Sequence, residues 1–346
     1  MKKTEFLKQK MMMKVIYALI PIVISSIYFF GWRILLILTS SLITCFVVEW
    51  LMSARGRGKI SQAVFVTALL YGLSLPPTIP IWMVVIGAVV AILFGKEVFG
   101  GFGKNVFNPA VVGRMFIYVS FPNAMTSQFV PTFKGIYGGF RHWSFQSLVE
   151  LPDYIKVARL TKIDTLTAAT PMWSRGNFGF STNMWELITG NIGGIFQFNG
   201  NPMVLGAGSI GEISVIIIVL MGIYLVISKT AKWELIVSTL LGAFAMNLIF
   251  LITGDPGEVP PLFFTMFSGG LFFGAVFMVT DPISAPKDKI AQWLYGIVIG
   301  SLIVLFRYKA IFAGGVGFSI LIGNILAPSL DLWIKRIKQA KKGAKI

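Results

Sequence analysis

The residue types and spacing best suited to chemistry lie in Lys162-Ile-Asp-Thr-Leu-Thr-Ala-Ala-Thr-Pro-Met172. Its useful atoms are the hydroxyls of Thr165, Thr167 and Thr170 and the carboxylate of Asp164. Small residues, Ala168 and Ala169, precede Thr170, and Pro171 follows it. A proline biases the residue before it away from the helical region and towards an extended backbone. An extended, uncrowded threonine is suited to carrying a covalently attached group. The same stretch also describes a Ser/Thr turn or a helix N-cap, and local sequence alone favours these.

Three further stretches hold polar groups beside apolar runs. The first is Gly95-Lys-Glu-Val-Phe-Gly-Gly-Phe-Gly-Lys-Asn-Val-Phe-Asn-Pro-Ala-Val-Val-Gly-Arg114. Gly100 and Gly101 permit a tight turn and close backbone approach to a ligand. Asn105 and Asn108 offer amide donors and acceptors, and Pro109 can open a helix at its first turn. Arg114 then falls about one turn into an apolar run, where a guanidinium is costly unless paired. Its fork could hold a phosphate or a carbonyl group, or it could be bonded to backbone carbonyls in a re-entrant loop. The second stretch, Gly208-Ser-Ile-Gly-Glu-Ile-Ser214, places Glu212 at an expected helix start. There it favours the helix dipole, with cation binding as the alternative. The third, Ser268-Gly-Gly-Leu-Phe-Phe-Gly-Ala-Val-Phe-Met-Val-Thr-Asp-Pro282, has glycines suited to close helix packing. Its Asp281 is expected to pair with Lys287 or Lys289.

Asp164-Thr-Leu-Thr-Ala-Ala-Thr170 resembles the flavinylation motif of one membrane-protein family. The family holds the D subunit of the Rnf complex (an ion-translocating ferredoxin:NAD oxidoreductase) and the B subunit of the sodium-translocating NADH:quinone reductase. Ala168 stands where that pattern commonly has Gly. The three polar stretches resemble the same family, so the likeness covers nearly the whole chain. It implies covalent FMN on Thr170 through a phosphoester, with Asp164, Thr167, Ala168 and Ala169 as recognition residues. It further implies a non-covalent riboflavin, and flavin or ion handling near Gly100, Gly101, Asn105, Asn108, Arg114, Glu212 and Asp281. The implied partners are other membrane and peripheral subunits of the complex, including a second subunit with covalent FMN, and Na+ or H+.

The elements that must position these residues are membrane segments. Of 346 residues, 55% are hydrophobic and 13% charged, about half the charged fraction of a soluble domain, roughly 25%. Ten apolar runs follow: Val15–Gly31, Ile34–Met52, Ile60–Leu75, Ile81–Gly95, Pro109–Phe121, Ile210–Ser228, Trp233–Ile252, Leu262–Val279, Ile290–Phe306 and Ile311–Ala327. This predicts an all-α polytopic membrane protein: two inverted five-helix halves, 1–121 and 210–346, separated by a long extracytoplasmic loop, 122–209. A net charge of +16 could suggest nucleic acid, but the Lys and Arg cluster at the ends of apolar runs, where they set topology. The Met1–Lys14 arm and the basic tail, with Lys335, Arg336, Lys338, Lys341, Lys342 and Lys345, are then both cytoplasmic, in a prokaryotic inner membrane. Arg307 and Lys309 break that charge pattern.

Other chemistry is excluded or bland. A single cysteine, Cys45, and a single histidine, His142, cannot build a zinc or iron–sulfur site; Cys45 reads as a small core residue, and no metal is expected. There is no phosphate-binding loop and no Rossmann fingerprint. Glu49, inside the second run, either snorkels to the interface or pairs with an Arg of the next loop. The short start favours the Rnf D subunit over the quinone-reductase B subunit. A non-redox channel or transporter is the reading from another class, and the threonine motif speaks against it. The topology has a direct test. Cysteines introduced at Lys59 and Gly176 are expected to react with impermeant thiol reagents from opposite sides of the membrane; labelling of both from one side contradicts the ten-span arrangement.

Overall fold

The computed structural model describes residues 5–55, 59–126, 129–149, 170–198, 201–254, 260–310 and 314–343. The ten apolar runs are helical, wholly or in part. The first half comprises α1 (Lys10–Phe30), α2 (Arg33–Arg55), α3 (Ala63–Leu73), α4 (Ile81–Ile92) and α5 (Pro109–Ser120). Between the halves stand α6 (Pro171–Phe178) and α7 (Met184–Thr189). The second half comprises α8 (Val215–Ile227), α9 (Trp233–Thr253), α10 (Leu262–Phe267), α11 (Leu271–Phe273), α12 (Lys289–Lys309) and α13 (Gly315–Gly343). A π-turn prolongs α4 through Leu93–Glu97, and another prolongs α11 through Gly274–Met278. Five helices, α1, α2, α9, α12 and α13, are long and apolar enough to cross a membrane.

Three expectations are corrected. The chain is not purely helical: β1 (Glu5–Leu7) pairs in parallel with β2 (Lys59–Ser61), and β3 (Gly194–Phe198) pairs antiparallel with β4 (Asn201–Leu205). The eighth run is not one helix but α10 and α11, parted at Ser268–Gly270, where Gly269 has φ +66°. The tenth helix starts at Gly315 and runs well past Ala327, carrying Pro328 inside it. The segment between the halves also has structure of its own, with short helical turns at Pro122–Thr126, Gly138–His142 and Phe145–Val149 besides α6, α7 and the β3–β4 hairpin.

Packing is close where side chains are smallest. On α12, a Cβ at Gly300 would fall 2.0 Å from the Thr239 carbonyl oxygen of α9, so only glycine lets these two backbones meet. The halves are stitched by asparagines. Asn108 caps α5 by accepting from the Ala110 amide (3.0 Å) and donates its own amide group to the Met278 carbonyl (3.3 Å). Its backbone N–H donates to Asn324 Oδ1 (3.0 Å), and Asn324 Nδ2 donates to the Tyr295 hydroxyl (2.8 Å). At the opposite end of the bundle, Arg33 gathers the Pro-rich link between α3 and α4. It donates to the carbonyls of Pro77 (3.2 Å), Ile79 (3.0 Å) and Val149.

Glu49 has a different partner from the one expected. Its Oε2 is 2.6 Å from Lys96 Nζ, with both side chains buried, so neither an Arg nor the interface is involved. Ser61 completes the cluster. Its N–H donates to Glu49 Oε1 at 2.9 Å, and Lys96 Nζ donates to its hydroxyl at 2.7 Å. The π-turn carries Lys96 into the interior, so this lysine is a buried structural charge rather than a topology signal. Cys45 is buried as expected. Removing one member of a buried pair leaves the other charge uncompensated, at a cost of about 3–5 kcal/mol. Glu49→Leu and Lys96→Met are each expected to lower the midpoint of thermal unfolding in detergent, and the double variant to recover most of the loss. Additive losses in the double variant would show that the two side chains do not act as a pair.

Candidate functional site

Thr170 stands where an extended approach meets a helix. Its backbone is extended (φ −147°, ψ 160°), it is the N-cap of α6, and Pro171 takes the first helical position. Its Oγ1 accepts from the Trp173 amide at 3.3 Å, and its carbonyl accepts from the Ser174 amide at 2.9 Å. Gly179, with φ +68°, closes the helix. Both sequence readings are thus present: the residue is extended, as Pro171 requires, and it is a cap. They are compatible, since a hydroxyl oxygen accepts a hydrogen bond without using its own proton. Asp164, Thr167, Ala168 and Ala169 lie outside the described residues.

Thr170 lines a cavity of about 370 Å³. Arg114 from α5, Glu212, Ser268 from the break between α10 and α11, and Arg307 from α12 share its wall. The sequence places these residues far apart, and the fold brings them together. Glu212 does not sit in the first turn of α8, whose N-cap is Ser214, so the expected dipole role is replaced. Its buried carboxylate accepts from the Ser209 amide at 2.9 Å. Glycines make room for it: a Cβ at Gly208 would meet Glu212 Oε1 at 2.5 Å, and a Cβ at Gly270 would meet Oε2 at 2.6 Å.

The guanidiniums are held unequally. Arg114 Nη2 donates to Ser209 Oγ over a long 3.4 Å, and its buried Nε has no partner among the described residues. The expected set of backbone carbonyls around Arg114 is therefore not what holds it. Arg307 Nη1 donates to the Thr265 carbonyl at 2.7 Å, and the Thr265 hydroxyl lies 2.5 Å from that of Tyr308. Arg307 Nη2 lies 3.2 Å from where a Cβ of Gly269 would stand. The fully buried Ser268 Oγ has no partner among the described residues either. Chemically, the wall offers donors with unmet capacity, two fixed cations and one carboxylate. Such a set fits an oxyanion of low charge, and a phosphate group in particular.

The other polar residues singled out in the sequence form a separate place. Asn105, Asn108 and Asp281 line a second cavity, of about 60 Å³, together with Lys96. Gly100 and Gly101 have φ +106° and +90° and make the turn that leads from the π-turn towards α5. Asp281 does not pair with Lys287 or Lys289. It accepts from the Ser284 hydroxyl (2.8 Å) and the Ile283 amide (3.3 Å), and burial raises its carboxyl above the usual range. The Lys287 amide donates to Asp331 (2.9 Å), and Lys289 lies 3.6 Å from Glu234. Arg307 and Ser268 were not among the expected site residues. The break in the basic-loop pattern at Arg307 was the signal for the first; nothing local distinguished the second.

The family model described as "NQR2, RnfD, RnfE family" matches residues 3–339. Among individual relatives, the chain is 32% identical over 292 residues to the B subunit of the Na(+)-translocating NADH-quinone reductase of Stutzerimonas stutzeri, covering 83% of this chain and 63% of that protein. It is 32% identical over 361 residues to the B subunit of the same name from Chlamydia abortus, covering 83% and 72%. It is 31% identical over 343 residues to the D subunit of the ion-translocating oxidoreductase complex of Haemophilus influenzae, covering 94% and 92%.

The glycines around Glu212 supply a test of the geometry. Gly208→Ala and Gly270→Ala each force the carboxylate or the backbone to move, a strain of about 1–3 kcal/mol. Gly176→Ala, where a Cβ meets nothing within 4 Å, is the control. Thermal unfolding is expected to fall for the first two and to hold for the third. Gly208, at φ +118°, is strained by any side chain, so the decisive comparison is Gly270→Ala: if it behaves like Gly176→Ala, Glu212 is not held where it is described.

Proposed function

The chain belongs to the NQR2, RnfD, RnfE family, and on that premise we propose that it is the D-type membrane subunit of an ion-translocating electron-transfer complex between ferredoxin and NAD, with FMN joined through its phosphate to Thr170. The observation that carries the proposal is the position of Thr170 on the wall of a cavity with Arg114 and Arg307. A phosphate-linked cofactor needs a hydroxyl on a cavity wall, a volume beside it and cations for its phosphate, and these three coincide at the half-buried Thr170. Arg114 Nε and Ser268 Oγ, unpartnered among the described residues, are the donors such a group would engage.

When bound, a flavin supplies the electron-accepting and electron-donating chemistry. The chain's own residues do the rest. Thr170 fixes the tail, and its cap bond to Trp173 fixes Thr170 against α6. The two arginines would compensate the phosphate, and Met172, Phe129 and Val316 make part of the cavity wall apolar. Attachment requires an enzyme. The Thr170 Oγ1–P bond forms as the P–O–P link of a flavin dinucleotide donor breaks, AMP leaves, and the hydroxyl proton passes to the transferase or solvent. His142 gives no help, since it is stacked on Phe133 with ring centroids 4.7 Å apart and is not on the cavity wall.

The second cavity bears on riboflavin. Gly100, Gly101, Asn105, Asn108 and Asp281 gather at or near it, and their amide and carboxyl groups are the ones that would hold an uncharged, hydrogen-bonding ring system there.

The B subunit of a sodium-translocating NADH:quinone reductase is the second reading, because identity to those relatives, 32%, is no lower than the 31% to the Haemophilus D subunit. The chain spans 63% of the length of the Stutzerimonas B subunit and 92% of the Haemophilus D subunit. In either complex the partners are the other subunits, the ion is Na+ or H+, and the membrane is the prokaryotic inner membrane with both termini cytoplasmic.

Peptide mass spectrometry tests the attachment. In cells that supply the flavin transferase, the peptide Lys162–Arg175 is expected to carry FMN, and the denatured band to fluoresce. Thr170→Val keeps the shape and is expected to abolish both signals, whereas Thr170→Ser retains part. A flavin-bearing peptide that persists in Thr170→Val, or an unmodified wild-type peptide, ends the proposal. Assay of the purified complex with ferredoxin against quinone separates the two family assignments.

A further inference from the structure

The charges around the Thr170 cavity are more specific than attachment requires. Resting on the covalent-FMN reading above, we propose that Arg307, Arg114 and the Ser268–Gly270 break form a seat for a phosphate diester, and that Glu212 tunes this seat against the monoester. The cavity therefore holds the flavin once it is joined to Thr170 and discriminates against free FMN.

Among the described residues of the wall, two guanidiniums and one carboxylate leave a single net positive charge. A phosphodiester carries one negative charge, which balances it. A terminal phosphate monoester carries about −1.5 to −2 near pH 7, and in this site the excess would face Glu212. Away from bulk water, one uncompensated charge weighs heavily. A metal cation is disfavoured by the same sum, because it would add to a wall that is already positive.

Geometry gives the second line. Arg307 is fixed at Nη1 by the Thr265 carbonyl (2.7 Å), with Nη2 turned towards Gly269. There the backbone has φ +66° and no side chain, so an oxyanion can approach the break closely. Ser268 Oγ, fully buried, lies on the same wall, as does Arg114 Nε, and neither has a partner among the described residues. Both can donate to phosphate oxygens. Glu212 is wedged between Gly208 and Gly270, and its Oε1 is held by the Ser209 amide at 2.9 Å. A carboxylate kept in place by two glycines and an amide is a fixed negative charge against which the seat is balanced.

The test uses the assembled complex. Thr170→Val removes the covalent cofactor and leaves the cavity, into which FMN and inorganic phosphate are titrated by calorimetry. Binding of FMN is expected to be weak in Thr170→Val and to tighten about tenfold or more when Glu212→Gln is added, since one repulsive charge is gone. Arg307→Gln added to that pair is expected to reverse the gain. Inorganic phosphate should follow the same order if the phosphate group alone is recognised; a gain confined to FMN would move recognition to the ring and overturn the seat. In the chain with Thr170 intact, Arg307→Gln is expected to keep the flavin on the Lys162–Arg175 peptide while its native fluorescence anisotropy drops. Unchanged anisotropy in a variant that assembles normally, or FMN affinity indifferent to both Glu212→Gln and Arg307→Gln, overturns the proposal. If Arg307→Gln does not assemble, Arg307→Lys, which keeps the charge and loses the fork, is expected to give an intermediate anisotropy, and a wild-type value would overturn the proposal. Loss of the covalent-FMN reading is seen separately, as an unmodified wild-type peptide; FMN titrated into that unmodified protein would still report on the seat.

Discussion

The structure turns on a single constraint: charged groups placed in an apolar helical bundle must be compensated where they stand. A guanidinium or carboxylate there is too costly to leave alone, and several of these charges stand where the backbone departs from a regular helix. Lys96 is carried to Glu49 by a π-turn, with Ser61 bridging the pair. Glu212 is admitted by glycines at 208 and 270, and Arg307 sits against a break where an unbroken helix would place side chains. Irregular backbone in a membrane protein is tolerated where it lines a cavity or is buried in protein. Both irregular places here meet that condition.

The two irregular places also divide the molecule. Near one end of the bundle, the Glu49–Lys96–Ser61 cluster and Asp281 satisfy their own polar groups. Near the other, Arg114 Nε and Ser268 Oγ remain without partners among the described residues, around a larger cavity. Satisfied polar clusters hold an architecture together, whereas unsatisfied ones mark where something else completes the site. On that ground the Thr170 cavity is the place in the described chain that a further group would complete. Asn108 also serves packing, capping its own helix and linking to Asn324 of the second half.

Much of this was legible in the sequence. The apolar runs fall on the helices of both halves, the eighth as the broken pair α10 and α11, because buried or lipid-facing backbone must satisfy its own hydrogen bonds and helices do so locally. The extended Thr170 followed from Pro171, and its cap role from the preference of threonine for helix starts. Cys45 in the core followed from its apolar run. Arg114 stood out for the same reason it matters, as a cation among apolar neighbours.

What the sequence by itself determined is that the apolar runs are helical and that Thr170 is extended before Pro171, since both depend on neighbours along the chain. What only the tertiary structure decided is partnership. Glu49 finds Lys96 and not an arginine, Asp281 turns back on Ser284, and Arg307, an anomaly in the charge pattern, joins Arg114, Glu212 and Thr170 on one wall. No periodicity encodes such meetings. Electrostatic pairing depends on distance in space, and residues from four separate segments come within reach only when the helix break at Ser268–Gly270 and the α5 and α12 faces close around the same volume.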